Sequence, residues 1–112
     1  MKVALLAWES LYSIPVGGVA VHVTELAAAL ERKGHEVHVF TRMGAGQPPY
    51  ERIFGVRYHR CGFALDPDFV EEINEMCRSF VDRVFQTENV IGAFDIVHAH
   101  DWLAANAMIW IK

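Results

Sequence analysis

At 112 residues the chain suits one small domain, and a hydrophobic share of 53 % sets it apart from disordered chains. A net charge of -4 with scattered basic residues leaves no arm or stripe for nucleic acid, and no segment is long enough to span a membrane. Cys61 and Cys77 are the only cysteines and form no CxxC pair, which points to a reduced, cytoplasmic setting.

Lys2 to Trp8 reads as a first strand, apolar throughout as in a strand buried on both faces. The run is too short for a signal sequence, and Glu9 and Ser10 follow with no cleavage site. Glu9 to Val16 is a loop, since Pro15 bars a regular helix there. After Gly17-Gly18 a helix follows, with a stripe of Val19, His22, Val23, Leu26, Ala27 and Leu30. Lys33 and Gly34 give the pairing of cation and glycine that ends helices. His35 to Thr41 is the second strand, which completes a βαβ unit.

Met43 to Pro49 is a loop, and Val56 to Arg60 a strand with a hairpin turn expected at Gly55. Asp66-Pro67 starts the second helix, the cap first and proline at the first helical position. This helix is expected to run to about Gln86, burying Phe69, Val70, Ile73, Met76, Cys77, Phe80, Val81 and Val84. Glu88 to Ala93 is then a linker into Phe94-Asp95-Ile96-Val97-His98-Ala99-His100-Asp101-Trp102. That stretch begins as a short β-branched strand and ends in titratable side chains. Ala104 to Lys112 reads as a helix without a C-terminal glycine, so a continuation or a partner chain is expected to meet it.

The chemistry is expected at the end of that last strand, because open parallel sheets bind ligands outside their carboxyl ends. His100 and Asp101 fall there; they can bond sugar or phosphate groups or move protons. The plainer alternative is that Asp101 caps the following helix and His100 packs against it. His98, one position deeper, reads as a buried histidine with a partner. Gly17-Gly18 lets backbone N–H groups approach an anion at an electropositive helix start, or else is only a flexible turn. It lies too far beyond the first strand for the tight GxGxxG turn. His22 reads as a packed histidine and Trp102 as core or pocket wall; His35 and His38 receive no role.

The run Gly17-Gly18-Val19, His22-Val23, Glu25-Leu26-Ala27, Leu30, Gly34-His35-Glu36-Val37 and Val39-Phe40-Thr41 resembles the start of retaining glycosyltransferases of the GT-B fold. Asp95 to Trp102 is similar to the corresponding motif of glycogen and starch synthases and their close relatives. Together these pieces cover roughly half the chain, in order and at fitting spacing. The resemblance implies an α/β fold, a Rossmann-like parallel sheet flanked by helices. Residues 1–112 would form part of an N-terminal acceptor domain facing a second domain that holds the nucleotide sugar.

By this resemblance Gly17 and Gly18 lie against the donor diphosphate. His100 contacts the transferred sugar, Asp101 lies beside the acceptor, and His22 and Trp102 stand as pocket wall. The donor would be a nucleotide sugar such as ADP- or UDP-glucose and the acceptor a glycan or small hydroxyl compound, with no cofactor or metal required. The sequence departs from glycogen and starch synthases at Pro15, where they usually carry a lysine, and more closely fits the broader related group with varied acceptors. No donor glutamate motif is present, so the chain by itself is not expected to transfer sugar. Two other readings stand beside this one: a non-catalytic nucleotide- or sugar-binding or interaction subunit, and a metal-dependent hydrolase using His98, His100 and Asp101.

Overall fold

The computed structural model describes residues 1–7, 18–43, 46–62 and 69–99. Gly17, His100, Asp101, Trp102, the Asp66-Pro67 helix start and the expected terminal helix lie outside the described residues.

Strand β1 (Lys2–Leu6) pairs in parallel with β2 (Glu36–Arg42), from Lys2↔Glu36 to Leu6↔Phe40. Helix α1 (Gly18–Arg32) connects them. Its alanine-rich body favours helix, and it stops where expected. Gly34 has φ +93, its N–H bonds the Glu31 carbonyl at 3.0 Å, and the His35 N–H bonds the Leu30 carbonyl at 3.2 Å. That pair of bonds is the Schellman ending. It sets the chain straight into β2, whose Glu36 N–H bonds the Met1 carbonyl.

The hairpin is present as β3 (Tyr50–Ile53) and β4 (Val56–Cys61), antiparallel to each other, with β4 parallel to β2. Its two turn residues, Phe54 and Gly55, have φ of 50° and 83°. Two left-handed residues make the turn that suits the right-handed twist of a hairpin. At Gly55 an added Cβ would lie 2.8 Å from Glu31 Cγ, while Glu31 Oε2 accepts a bond from the Val37 N–H. Gly55→Ala is therefore expected to lower stability by roughly 1–2 kcal/mol, from left-handed strain plus displacement of Glu31. A melting temperature equal to that of the unaltered protein would contradict this.

Helix α2 (Phe69–Ile91) buries Ile73, Met76, Cys77, Phe80 and Val84, as its stripe predicts, but runs past Gln86. Nothing in 87–91 breaks a helix; the Thr87 hydroxyl bonds back to the Arg83 carbonyl, and Gly92, at φ +91, makes the stop. The expected linker from Glu88 is thus mostly helix. Glu88 has a specific job there: its carboxylate accepts the Phe94 N–H at 2.9 Å, fixing the exit from α2. Strand β5 (Ile96–Ala99) then pairs in parallel with β1, from Val3↔Ile96 to Leu6↔Ala99. Asp95 anchors this junction, since its carboxylate accepts the Lys2 N–H at 2.7 Å and its own N–H bonds the Lys2 carbonyl at 2.8 Å.

The sheet order is β3-β4-β2-β1-β5. Its two faces carry separate cores. Val3, Leu5, Val37, Val39 and Tyr58 pack with Val23 and Ala27 of α1. Ala4, Leu6, Phe40 and Cys61 pack with the α2 stripe. Alternate residues of β1 and β2 serve opposite cores, so both strands are apolar without interruption.

Candidate functional site

In a doubly wound sheet the ligand crevice lies at the carboxyl ends of the two strands where the connections diverge. Here those strands are β1 and β5. From β1 the chain reaches β2 over one face through α1; from β4 it reaches β5 over the other through α2. Among the described residues, β1 and β5 pair as far as Leu6↔Ala99. His100 is the next residue after Ala99. Because α1 ends at the amino edge, its fifteen residues, rising about 22 Å, carry its start at Gly18 toward the carboxyl edge. Two elements that bear the expected site residues thus open onto one rim.

The neighbouring histidines differ from expectation. His98 is exposed, not buried; β5 is the outermost strand of the described sheet, and alternate side chains along it face outward. His98 instead borders an apolar hollow formed with Leu5, Leu26 and Leu30. His22 is likewise exposed near the start of α1, while Val23 beside it takes the buried position. Among the described residues, no three histidine, cysteine or acidic side chains group as metal ligands.

A second polar cluster has no forerunner in the reading of the residues. Glu36, His38 and Phe40 alternate onto the α2 face of β2, where they meet His59 of β4. His38 Nε2 lies 2.9 Å from Glu36 Oε2, and His38 Nδ1 lies 2.8 Å from His59 Nε2. A carboxylate only accepts, so His38 donates from Nε2, and its bare Nδ1 accepts from His59 Nε2–H. The two rings stack at 5.1 Å, with Phe40 stacked on His59 at 4.5 Å and Phe94 edge-on to His38 at 5.2 Å.

Burial in this aromatic stack, with His38, Arg83 and Arg57 nearby, holds His59 down at about 3. Burial also lowers His38, against the pull of Glu36, whose own pKa is lowered chiefly by its bond to His38. Both imidazoles are therefore neutral at pH 7, and they join β2 to β4 across the sheet: His59 lies in the row of Phe40, Leu6 and Ala99, two strands away from β1, and His38 in the row of Ala4. The signal was the period of two along β2, which sets Glu36 beside His38, but the contact with His59 depends on strand pairing. Cys61, buried under α2, has its thiol pushed up to about 12 by desolvation and stays protonated.

Comparison with known proteins gives a consistent result. The model of the family described as glycosyltransferase family 4 matches residues 16–112. An uncharacterized glycosyltransferase of Methanocaldococcus jannaschii is 36 % identical over 92 % of this chain and 25 % of its own length. A glycogen synthase of Mycobacterium tuberculosis is 26 % identical over 97 % of this chain and 30 % of its own. Among solved structures, sucrose-phosphate synthase from Thermosynechococcus elongatus superposes with a TM-score of 0.74 at 21 % identity, over 98 % of this chain and 29 % of that one. The catalytic domain of starch synthase IV from Arabidopsis thaliana gives 0.67 at 18 %, over 97 % and 30 %. The chain thus spans between a quarter and a third of the length of each of these proteins.

Proposed function

The chain belongs to glycosyltransferase family 4, and we propose that it is the N-terminal part of a retaining enzyme that moves a hexose from a nucleotide sugar to a hydroxyl acceptor. The donor is of the ADP- or UDP-glucose type, and the acceptor a glycan or small hydroxyl compound. The observation that carries this reading is the parallel pairing of β1 with β5 up to Leu6↔Ala99, with α1 opening toward the same edge. A sugar bonded to phosphate needs two grips, one on each end, and this reading draws both from that edge.

Breaking the bond to a nucleoside diphosphate builds negative charge on the leaving phosphate and positive charge at the sugar. In this reading the backbone N–H groups at Gly17 and Gly18, at the electropositive end of α1, stabilise the departing diphosphate. His100 bonds the transferred sugar and fixes its orientation, while Asp101 lies beside the acceptor. His22 and Trp102 wall the pocket. A second domain, or a partner chain, supplies the rest of the donor site, and the 112-residue chain alone is expected not to turn over.

The test is an assay of the complete gene product against a panel of nucleotide sugars, with the anomeric configuration of the product read by NMR. Transfer with retained configuration is expected. An inverted product ends the retaining assignment, and transfer from no nucleotide sugar in the panel ends the donor assignment.

A further inference from the structure

Beneath the last turns of α2 the structure holds a cavity of about 530 Å³, within the usual range for small-molecule sites. It lies against β2, β3 and β4, whereas the proposed rim lies at β1 and β5. Glu36 and Arg57 stand at the first and second positions of β2 and β4, and Val90 and Ile91 end α2. These four mark the amino end of the cavity; His59 and Tyr50, which pair with each other in the row of Phe40 and Leu6, mark its other end.

The lining is cationic. Arg57 and Arg83 both border the cavity, and both are near enough to His59 to oppose its protonation. Each guanidinium has donors to spare among the described residues. Arg57 makes one ion pair, Nη1 to Glu31 Oε1 at 4.0 Å, too long for a hydrogen bond, and that nitrogen is buried without a hydrogen-bond partner. Arg83 makes one long bond, 3.4 Å to the Pro49 carbonyl. A guanidinium carries five N–H donors, so most of their capacity is open. Glu36 is the only carboxylate among the described lining residues; it is engaged by His38 Nε2, and Arg57 is near enough to help hold it ionised.

Two planar cations around one cavity match a doubly charged oxyanion, and guanidinium forks suit phosphate oxygens in particular. The remainder of the lining suits a hydroxylated carbon body. Tyr50 leans on His59 at 5.1 Å and is 47 % exposed, which leaves ring surface for a sugar to lie against. Gln86 offers an amide, the Thr87 hydroxyl has a lone pair beyond its bond to the Arg83 carbonyl, and Val90 and Ile91 border the cavity with apolar surface.

We infer that this cavity binds the phosphate ester of a small sugar, with the phosphate between Arg57 and Arg83 and the ring against Tyr50. The site is separate from the proposed donor site and does not depend on the transfer reaction.

The test is calorimetry on the protein with mannose 6-phosphate, inorganic phosphate and free mannose, with the His59 ring resonances followed by NMR. Mannose 6-phosphate is expected to bind and to shift those resonances, inorganic phosphate to bind about tenfold more weakly, and mannose not to bind. Arg57→Gln and Arg83→Gln are each expected to weaken the ester at least about tenfold, the loss of one charge-assisted contact. Tyr50→Ala is expected to bring the ester down to the level of inorganic phosphate. Arg83 is half-buried and makes a single long bond to the Pro49 carbonyl, so its variant is expected to retain the fold even if Arg57→Gln does not. Equal affinity for ester and inorganic phosphate overturns the sugar assignment. Unchanged affinity in Arg83→Gln, or a still His59 ring under both phosphates, overturns the site. Since no arm measures sugar transfer, none of these results bears on the enzyme reading.

Discussion

Between pH 7 and pH 5 the domain is expected to lose about 2 kcal/mol of folding stability through His59 alone. In the unfolded chain an imidazole takes up its proton as pH falls through about 6.5. In the fold, burial between Phe40 and His38 delays that uptake until about 3. The unfolded state therefore binds more protons throughout that interval. The stability this neutral ring confers is complete above the unfolded value and declines as pH falls toward the folded one. His38 acts in the same direction, because desolvation lowers it too. Glu36, lowered by its bond to His38, adds a loss at still lower pH, as its unfolded counterpart protonates first.

Denaturant midpoints at pH 7, 6 and 5 measure the effect, and His59→Phe isolates it. That variant retains the aromatic stack but leaves His38 Nδ1 with no donor. It is expected to be less stable at pH 7 by about 1–3 kcal/mol, yet flatter in its response to acid. A midpoint that does not move between pH 7 and pH 5 in the unaltered protein would mean that the pair is not held neutral.

The second large effect concerns His100. In the complete gene product, His100→Ala is expected to lower kcat by roughly a hundred- to a thousandfold, the size seen when one donor at a developing charge is removed. The expected change in unfolding free energy is under about 1 kcal/mol. The reason is the expected role: a residue that contacts the transferred sugar is read in the rate and not in the fold. A loss of stability that accounts for the loss of rate would assign the histidine a structural role. A KM raised with kcat unchanged would instead make it a grip on the ground state, not on the transition state.

Local chemistry made much of the fold readable. Gly34 ended α1 where a cation and a glycine come together, and Gly55 marked a hairpin whose left-handed turn few other residues accept. The α2 stripe named its own core because a period near 3.6 records which side is covered. The end of α2 was less legible. Residues 88–91 have little amphipathic pattern, and they are helical because Gly92 is the first residue that favours stopping.

His98 was misjudged for a different reason. Its strand looks like any buried strand in sequence, but the order of strands leaves β5 outermost among those described. The His38–His59 pair was out of reach because its members lie 21 residues apart and touch only through the pairing of β2 with β4. Near the proposed rim, the parallel pairing of β1 with β5 up to Leu6↔Ala99 required coordinates.

The place of β1 in the sheet has a consequence during synthesis. One side of this strand finds its partner as soon as β2 leaves the ribosome. The other side must wait for β5, whose anchor Asp95 lies 93 residues beyond Lys2. Until then an apolar strand shows an unpaired edge to solvent or to a chaperone. Slow translation across residues 70–95 lengthens that wait, and the nascent chain is most vulnerable to misassociation then.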